Sequence, residues 1–268
     1  TTGPIADYPA YDMVIQGLTG ITALQGSDNE MQHINMLICD KITAYTVAQA
    51  TTAALLARAS TGKGQHIDIS MLQANLAFMW PDSMMDKTIE DRDGIMDMSP
   101  ISDYYQTLDL SDGSIALAPL RDHHYKALLE MLGYPELLED PRFGSMGGRL
   151  KHMDQVMEIL KSPRKEYSVA EAMSLLTAAD IPCAPCIARD DLKSHPQIEA
   201  IEALETYETP LHGALTVPRP PARFEGENAS QATPSPGLGE HSRSILETLG
   251  YSGEEIDALI AEGSVACG

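Results

Sequence analysis

Apolar residues recur at helical spacing over residues 11–24 (Met13, Ile15, Leu18, Ile21), which predicts the first helix of the chain. Residues 40–59 predict a longer helix, rich in small side chains: Ala44, Ala48, Ala50, Ala53, Ala54 and Ala57. Such a surface allows close approach by another helix or a ligand. A helix apolar on most faces is expected to be buried, and Arg58 near its end suits the negative pole of the helix dipole. Thr61-Gly62-Lys63-Gly64-Gln65 then reads as a turn, and residues 66–70 alternate like a short strand. Residues 71–80 are helical again, with Pro81 as the stop. Residues 82–98 are acidic and rich in Met, as in a loop or a domain crossover.

Further along, residues 104–110 and 114–118 predict a β-hairpin turning through Ser111-Asp112-Gly113. Helices follow at about 121–132, 149–160 and 169–179, and then a short extended stretch at 181–188. Two strands are expected within 203–224, ahead of Pro218-Arg219-Pro220-Pro221. Residues 228–239, rich in Pro, Ser and Gly, read as a linker. Helices over 240–249 and 252–261 close the chain, the second opened by a capping box of Ser252 and Glu255. No internal repeat is visible. The order implies an α/β fold: a discontinuous larger domain (1–85 and 205–268) around a smaller α+β domain (86–204).

Composition narrows the partners. A length of 268 residues with 43% hydrophobic and 21% charged residues is ordinary for a globular protein of one or two domains. The formal net charge of −21 argues against nucleic acid and against an anionic membrane surface. No apolar run reaches the roughly 18–20 residues that span a bilayer, and no signal peptide is visible. Four cysteines (Cys39, Cys183, Cys186, Cys267) are too few for a disulfide scaffold and point to a reducing cytoplasm. The start, Thr1-Thr2-Gly3-Pro4, has no initiator Met and reads as the inside of a loop. We therefore expect the chain to begin within a longer protein.

Candidate chemistry is sparse. Asp40 stands in the first turn of the Ala-rich helix, where a carboxylate serves either as a helix-terminal charge or as a nucleophile held in place. Gly62-Lys63-Gly64 lacks the spacing of a phosphate loop and follows a helix, so it reads as a helix stop. Cys183-Ala184-Pro185-Cys186 has redox or half-zinc spacing, but it has no second pair and lies in an extended stretch. Asp122-His123-His124 are consecutive on a helix, so their side chains should diverge by about 100°. No metal site is assigned. No Gly-x-Ser-x-Gly elbow occurs either.

Four stretches, in order, resemble the family III CoA-transferases, which include formyl-CoA and carnitine CoA-transferases and α-methylacyl-CoA racemases. They are Pro9-Ala10-Tyr11-Asp12 with Val14-Ile15-Gln16; Ala53-Ala54-Leu55-Leu56-Ala57-Arg58 leading into Thr61-Gly62-Lys63-Gly64-Gln65; Asp180-Ile181-Pro182-Cys183-Ala184-Pro185; and Leu238-Gly239-Glu240-His241 continuing through Leu249-Gly250-Tyr251-Ser252 and Glu254-Glu255-Ile256. Together they cover nearly the whole chain, but not the family's N-terminal nucleotide-fold segment, which supplies most contacts to CoA. Residues 1–100 hold twelve acids against five bases, a poor cradle for CoA phosphates.

The resemblance implies transfer of coenzyme A between an acyl-CoA and a carboxylic acid, with no tightly bound cofactor. Asp40 falls at the family's catalytic aspartate, which carries the acyl group and then CoA as covalent intermediates. Tyr11 and Asp12 match a Tyr-acid pair near the transferase site, expected to position the intermediates, and Gln16 is a weaker match to the same role. The family's racemases carry His where Tyr11 stands, which disfavours racemase or isomerase activity. A glycine-rich lid in some members corresponds to Asp93-Gly94-Ile95-Met96-Asp97, with a single glycine. An interlocked homodimer is implied. A non-catalytic scaffold or partner subunit without CoA binding is the alternative of a different class.

Overall fold

The computed structural model describes residues 2–27, 29–95, 106–160, 162–209, 212–225 and 235–267. Expectations for Met96 and Asp97, for the first strand residues Tyr104 and Tyr105, and for most of the linker lie outside the described residues. The chain divides into two compact units, residues 1–186 and 187–268.

The first unit opens with four helices. The periodic stretch at 11–24 is two helices, α1 (Asp12–Thr19) and α2 (Ile21–Gln25), parted where Gly20 takes a left-handed φ of 81°. That conformation is open to glycine at little steric cost and ends α1. Helix α3 (Ile38–Thr61) follows, stopped by Gly62 at φ 71°, so Gly62-Lys63-Gly64 is the helix stop that its spacing suggested. Helix α4 (Met71–Ser83) runs through Pro81 rather than ending before it. Residues 66–70 form no strand, because among the described residues no neighbouring strand lies beside them to complete a ladder.

The apolar core beneath these helices is small: Ile15, Ile21 and Cys39, with Ile34, Ile38 and Met71 packed around them. Of the 24 residues of α3, only Cys39 and Ile42 are buried, against the expectation from its composition. Within this unit its Ala-rich surface faces solvent. After α4, Asp86 is buried and paired with Arg92.

The rest of the unit is built on a three-stranded antiparallel sheet in the order β1 (Gln106–Asp109), β2 (Ser114–Leu117), β3 (the later strand Cys183–Pro185). Leu108 pairs with Ile115, and Leu117 with Cys183. Alternation turns Leu108, Ile115 and Leu117 inward. They pack on α5 (Asp122–Met131), α7 (Met153–Leu160) and α8 (Val169–Ala178) through Leu128, Leu129, Val156, Leu160, Ala172 and Leu176. The single helix expected at 149–160 is two, α6 (Met146–Lys151) and α7, broken at His152. Buried Arg149 on α6 pairs with Asp122, donates to the Phe143 carbonyl at 2.9 Å, and lies 4.1 Å from the Tyr125 ring centroid. Helix α8 opens with a capping box of Ser168 and Glu171, whose mutual hydrogen bonds hold the Glu171 carboxyl below its ordinary range.

The second unit holds α9 (Pro196–Ala200), the hairpin β4 (Leu204–Thr209) and β5 (Gly213–Pro218), α10 (Ser242–Thr248) and α11 (Gly253–Ala261). Both strands and the Ser252–Glu255 box match the sequence reading. Gly239 is required by space as well as by its φ of 81°: a Cβ there would lie 2.4 Å from the Ala266 carbonyl oxygen.

Candidate functional site

Helix α1 places Asp12 and Gln16 one turn apart on its inner face. Both are nearly sealed from solvent, 4% and 2% exposed, whereas Tyr11 at the N-cap position is 75% exposed. Buried polar groups must find partners, and here these are each other, the segment that leads into α3, and the first turn of α3. The Gln16 amide donates to the carbonyls of Ile34 (3.3 Å) and Met36 (3.2 Å), and its oxygen accepts the Ile34 N–H at 2.9 Å. The same amide donates to Asp12 Oδ1 at 2.6 Å.

Asp12 Oδ2 remains, and it accepts the backbone N–H of Asp40 at 3.0 Å. This bond does the work of a helix cap. The first N–H groups of any helix lack partners inside it, and Leu37 at the N-cap of α3 has no side-chain oxygen to offer. A carboxylate from α1 satisfies the third residue of α3 instead. The Asp40 side chain is left exposed to solvent, on a turn whose backbone is fixed from below. Its place is the helix's third residue, so the capping role that its position suggested belongs to Asp12.

Cys39, beside Asp40, is wholly buried. Burial, reinforced by the negative charges of Asp12 and Asp40, pushes its thiol up to about 11. It stays protonated near neutral pH, which makes the thiol a poor nucleophile. Asn75 on α4 escaped the sequence reading. It is 0% exposed and touches the same turn from the other side, through the Cys39 carbonyl. The signal that marks it is a polar residue in an apolar row at four-residue spacing, Met71–Asn75–Met79.

Other motifs separate from this turn. Cys183 is half-buried in β3 and Cys186 exposed just beyond it, both as free thiols. His123 and His124, expected to diverge, have ring centroids 4.3 Å apart, edge to face. They converge because His124 folds back over the start of α5, where its Nδ1 accepts the Arg121 N–H at 3.3 Å. Donor atoms of His123, His124 and Asp180 lie within 4.8 Å of one another. With Nδ1 used as an acceptor, the neutral His124 ring carries its proton on Nε2, so that nitrogen has no lone pair for a cation.

Comparison with known proteins places the chain. The family model for CoA-transferase family III matches residues 1–242. Among relatives, the succinate–glutarate CoA-transferase of Agrobacterium fabrum is 26% identical over 92% of this chain and 62% of its own length. The acetyl-CoA:oxalate CoA-transferase of Acetobacter aceti is 27% identical over 91% of this chain and 62% of its own. The chain thus spans about 60% of the length of the curated relatives it matches. Among solved structures, a CAIB/BAIF family protein from Brucella suis superposes with a TM-score of 0.72 at 29% identity, over 92% of this chain and 65% of that one. Rv3272 from M. tuberculosis, at 22% identity and a TM-score of 0.72, shares the fold over 90% of this chain and 65% of its own. With matching motifs in order, a matching fold and a family model that covers most of its length, this chain belongs to CoA-transferase family III.

Proposed function

We propose that this chain serves in the transfer of coenzyme A between an acyl-CoA thioester and a carboxylic acid, with the Asp40 carboxylate as covalent carrier. The observation that carries this reading is the exposed Asp40 side chain on a turn whose backbone is held by buried Asp12. A nucleophile gains from a fixed start point, because misplacement by an ångström costs about a hundredfold in rate.

An Asp40 oxygen attacks the thioester carbonyl carbon and the C–S bond breaks, leaving a mixed anhydride and CoA thiolate. The thiolate attacks the Asp40 carbonyl carbon, the donor acid leaves as its carboxylate, and Asp40 becomes the CoA thioester. The acceptor carboxylate attacks that thioester and expels thiolate, forming a second anhydride. Thiolate then attacks the acceptor's carbonyl carbon, which gives the new acyl-CoA and frees Asp40. Asp12 and Gln16 position this chemistry through the Asp40 backbone, and exposed Tyr11 is the member of the set free to meet a substrate.

Family membership supports the remaining readings: a larger domain of 1–85 with 205–268 around a smaller one of 86–204, an interlocked homodimer, no tightly held cofactor and a cytoplasmic setting. No helix among the described residues is long and apolar enough to cross a membrane. Racemase activity is disfavoured by Tyr11, since the family's racemases carry His there, and it predicts solvent deuterium at the substrate α-carbon. A scaffold role predicts no CoA binding.

The test is intact-mass analysis after incubation with acyl-CoA, with succinate, glutarate and oxalate first among acceptors because similar proteins are named for them. A hydroxylamine-labile adduct on Asp40, absent in Asp40→Asn together with transfer, is the expected result. Full transfer by Asp40→Asn overturns the reading.

A further inference from the structure

We infer that Asn75 is a positioning residue for Asp40, holding the peptide group between Cys39 and Asp40 from the side opposite Asp12; this rests on the reading of Asp40 as acyl carrier. That one peptide group is gripped at both ends. Its N–H, belonging to Asp40, donates to Asp12 Oδ2 at 3.0 Å. Its carbonyl, belonging to Cys39, accepts from Asn75 Nδ2 at 3.2 Å and from the Thr43 hydroxyl at 2.7 Å. Because the plane of this peptide sets the direction in which the Asp40 side chain leaves the backbone, the two side chains together fix where the carboxylate points.

Orientation of the Asn75 amide is determined by its surroundings. The Nδ2 group also donates to the Met71 carbonyl at 2.8 Å and reaches the Thr43 hydroxyl oxygen at 3.4 Å. Every neighbour on that side accepts, since the Thr43 proton is already given to Cys39, so a flipped amide would set oxygen against oxygen. The cost falls on the other atom: Asn75 Oδ1 is buried with no hydrogen-bond partner among the described residues. Each of the two carbonyls that Asn75 serves has another donor. The Cys39 carbonyl keeps the Thr43 hydroxyl, and the Met71 carbonyl keeps its helical N–H. A leucine, branched like asparagine but larger, would remove the unpaired buried acceptor and leave only the Thr43 hydroxyl, which still donates to Cys39, without its incoming donor. An asparagine that leaves its own oxygen unpaired while its amide grips this one peptide group points to a role in aiming Asp40.

This gives a split that a structural role does not. Wild type, Asn75→Leu and Asn75→Ala are compared by thermal unfolding, by steady-state kcat and KM, and by the single-turnover rate of the hydroxylamine-labile adduct on Asp40. In Asn75→Leu we expect a modestly lowered thermal midpoint, since leucine is larger than asparagine, and KM for acyl-CoA within about twofold. The adduct rate and kcat should fall about tenfold, well short of the hundredfold cost of full misplacement, because Asp12 and Thr43 still hold the peptide. Asn75→Ala, which needs no extra space, should show the same loss of rate if the leucine does not fold. A wild-type adduct rate in the folded variants overturns the role of Asn75 and leaves Asp40 as carrier. Loss of rate only in step with a falling midpoint also overturns it, as a structural effect. No adduct on Asp40 in an active wild type overturns both readings.

Discussion

The two halves of the first unit are held together by different physics. Around the sheet, thirteen described apolar residues are buried in one cluster, from Leu108 and Ile115 through Leu128 and Phe143 to Leu176 and Ile181. Around Asp40 the buried cluster among the described residues is Ile15, Ile21 and Cys39, and Asp12, Gln16 and Asn75 tie α1, the segment before α3, α3 and α4 together by hydrogen bonds. Apolar burial gives strength without direction, whereas hydrogen bonds give direction for a modest net gain each. On the proposed reading, the contrast fits a sheet module that persists and a turn that aims.

The largest effect should come from the apolar side. Leu128→Ala empties part of the sheet module's core and should cost about 2–5 kcal/mol in urea unfolding, while the folded fraction keeps the wild-type rate of Asp40 adduct formation. A comparable loss of rate would erase the distinction between the halves. Asp12→Asn should cost less in stability, about 1–3 kcal/mol, since one amide N–H₂ must now face a donor, either Asp40 N–H or the Gln16 amide. Its mark should be local: faster hydrogen exchange at the Asp40 amide than the global loss explains. Uniform exchange would show that the polar network is ordinary scaffold.

The smallest effect concerns pH. The hydrogen bond from the Arg142 guanidinium, helped by the Arg142 N–H, pulls the Asp140 carboxyl down to about 2. A carboxyl held below its unfolded value stabilises the fold above about pH 4. That contribution is lost as pH falls from about 4 to about 2. Asp140→Asn should flatten the acid limb of the unfolding midpoint in this window and leave adduct formation near pH 7 unchanged. Sensitivity of the Asp40 turn to this pair would again blur the two halves.

Legibility in the sequence follows the range of the interactions. The hairpin turn at Ser111-Asp112-Gly113 and the Ser-x-x-Glu box of α11 act within a few residues and leave a local signature. The breaks at Gly20 and His152 inside periodic stretches did not show, because apolar spacing continues across both. Pro81 misled in the other direction: α4 runs two residues past it and loses only the one hydrogen bond that a residue there would donate. The role proposed for Asp40 came from family motifs, since a carboxylate in a first turn has several uses. Its support was not, because a bond from Asp12 to a backbone N–H 28 residues away requires only that Asp40 have a backbone. His123 and His124 were set apart by helix geometry, but a side chain that folds back over a helix start does not follow the spacing of the helix interior.

The borrowed cap of α3 has a consequence for the order of folding. The Ala-rich middle of the helix can nucleate from local sequence, but its amino-terminal turn must wait until the chain has closed a loop back to Asp12. An incompletely folded chain, on a ribosome or during refolding, thus holds the aspartate without the turn that aims it. On the proposed reading, competence for acyl transfer arrives only when α1 has docked. A refolding experiment that samples adduct formation over time should see it lag behind the helical signal.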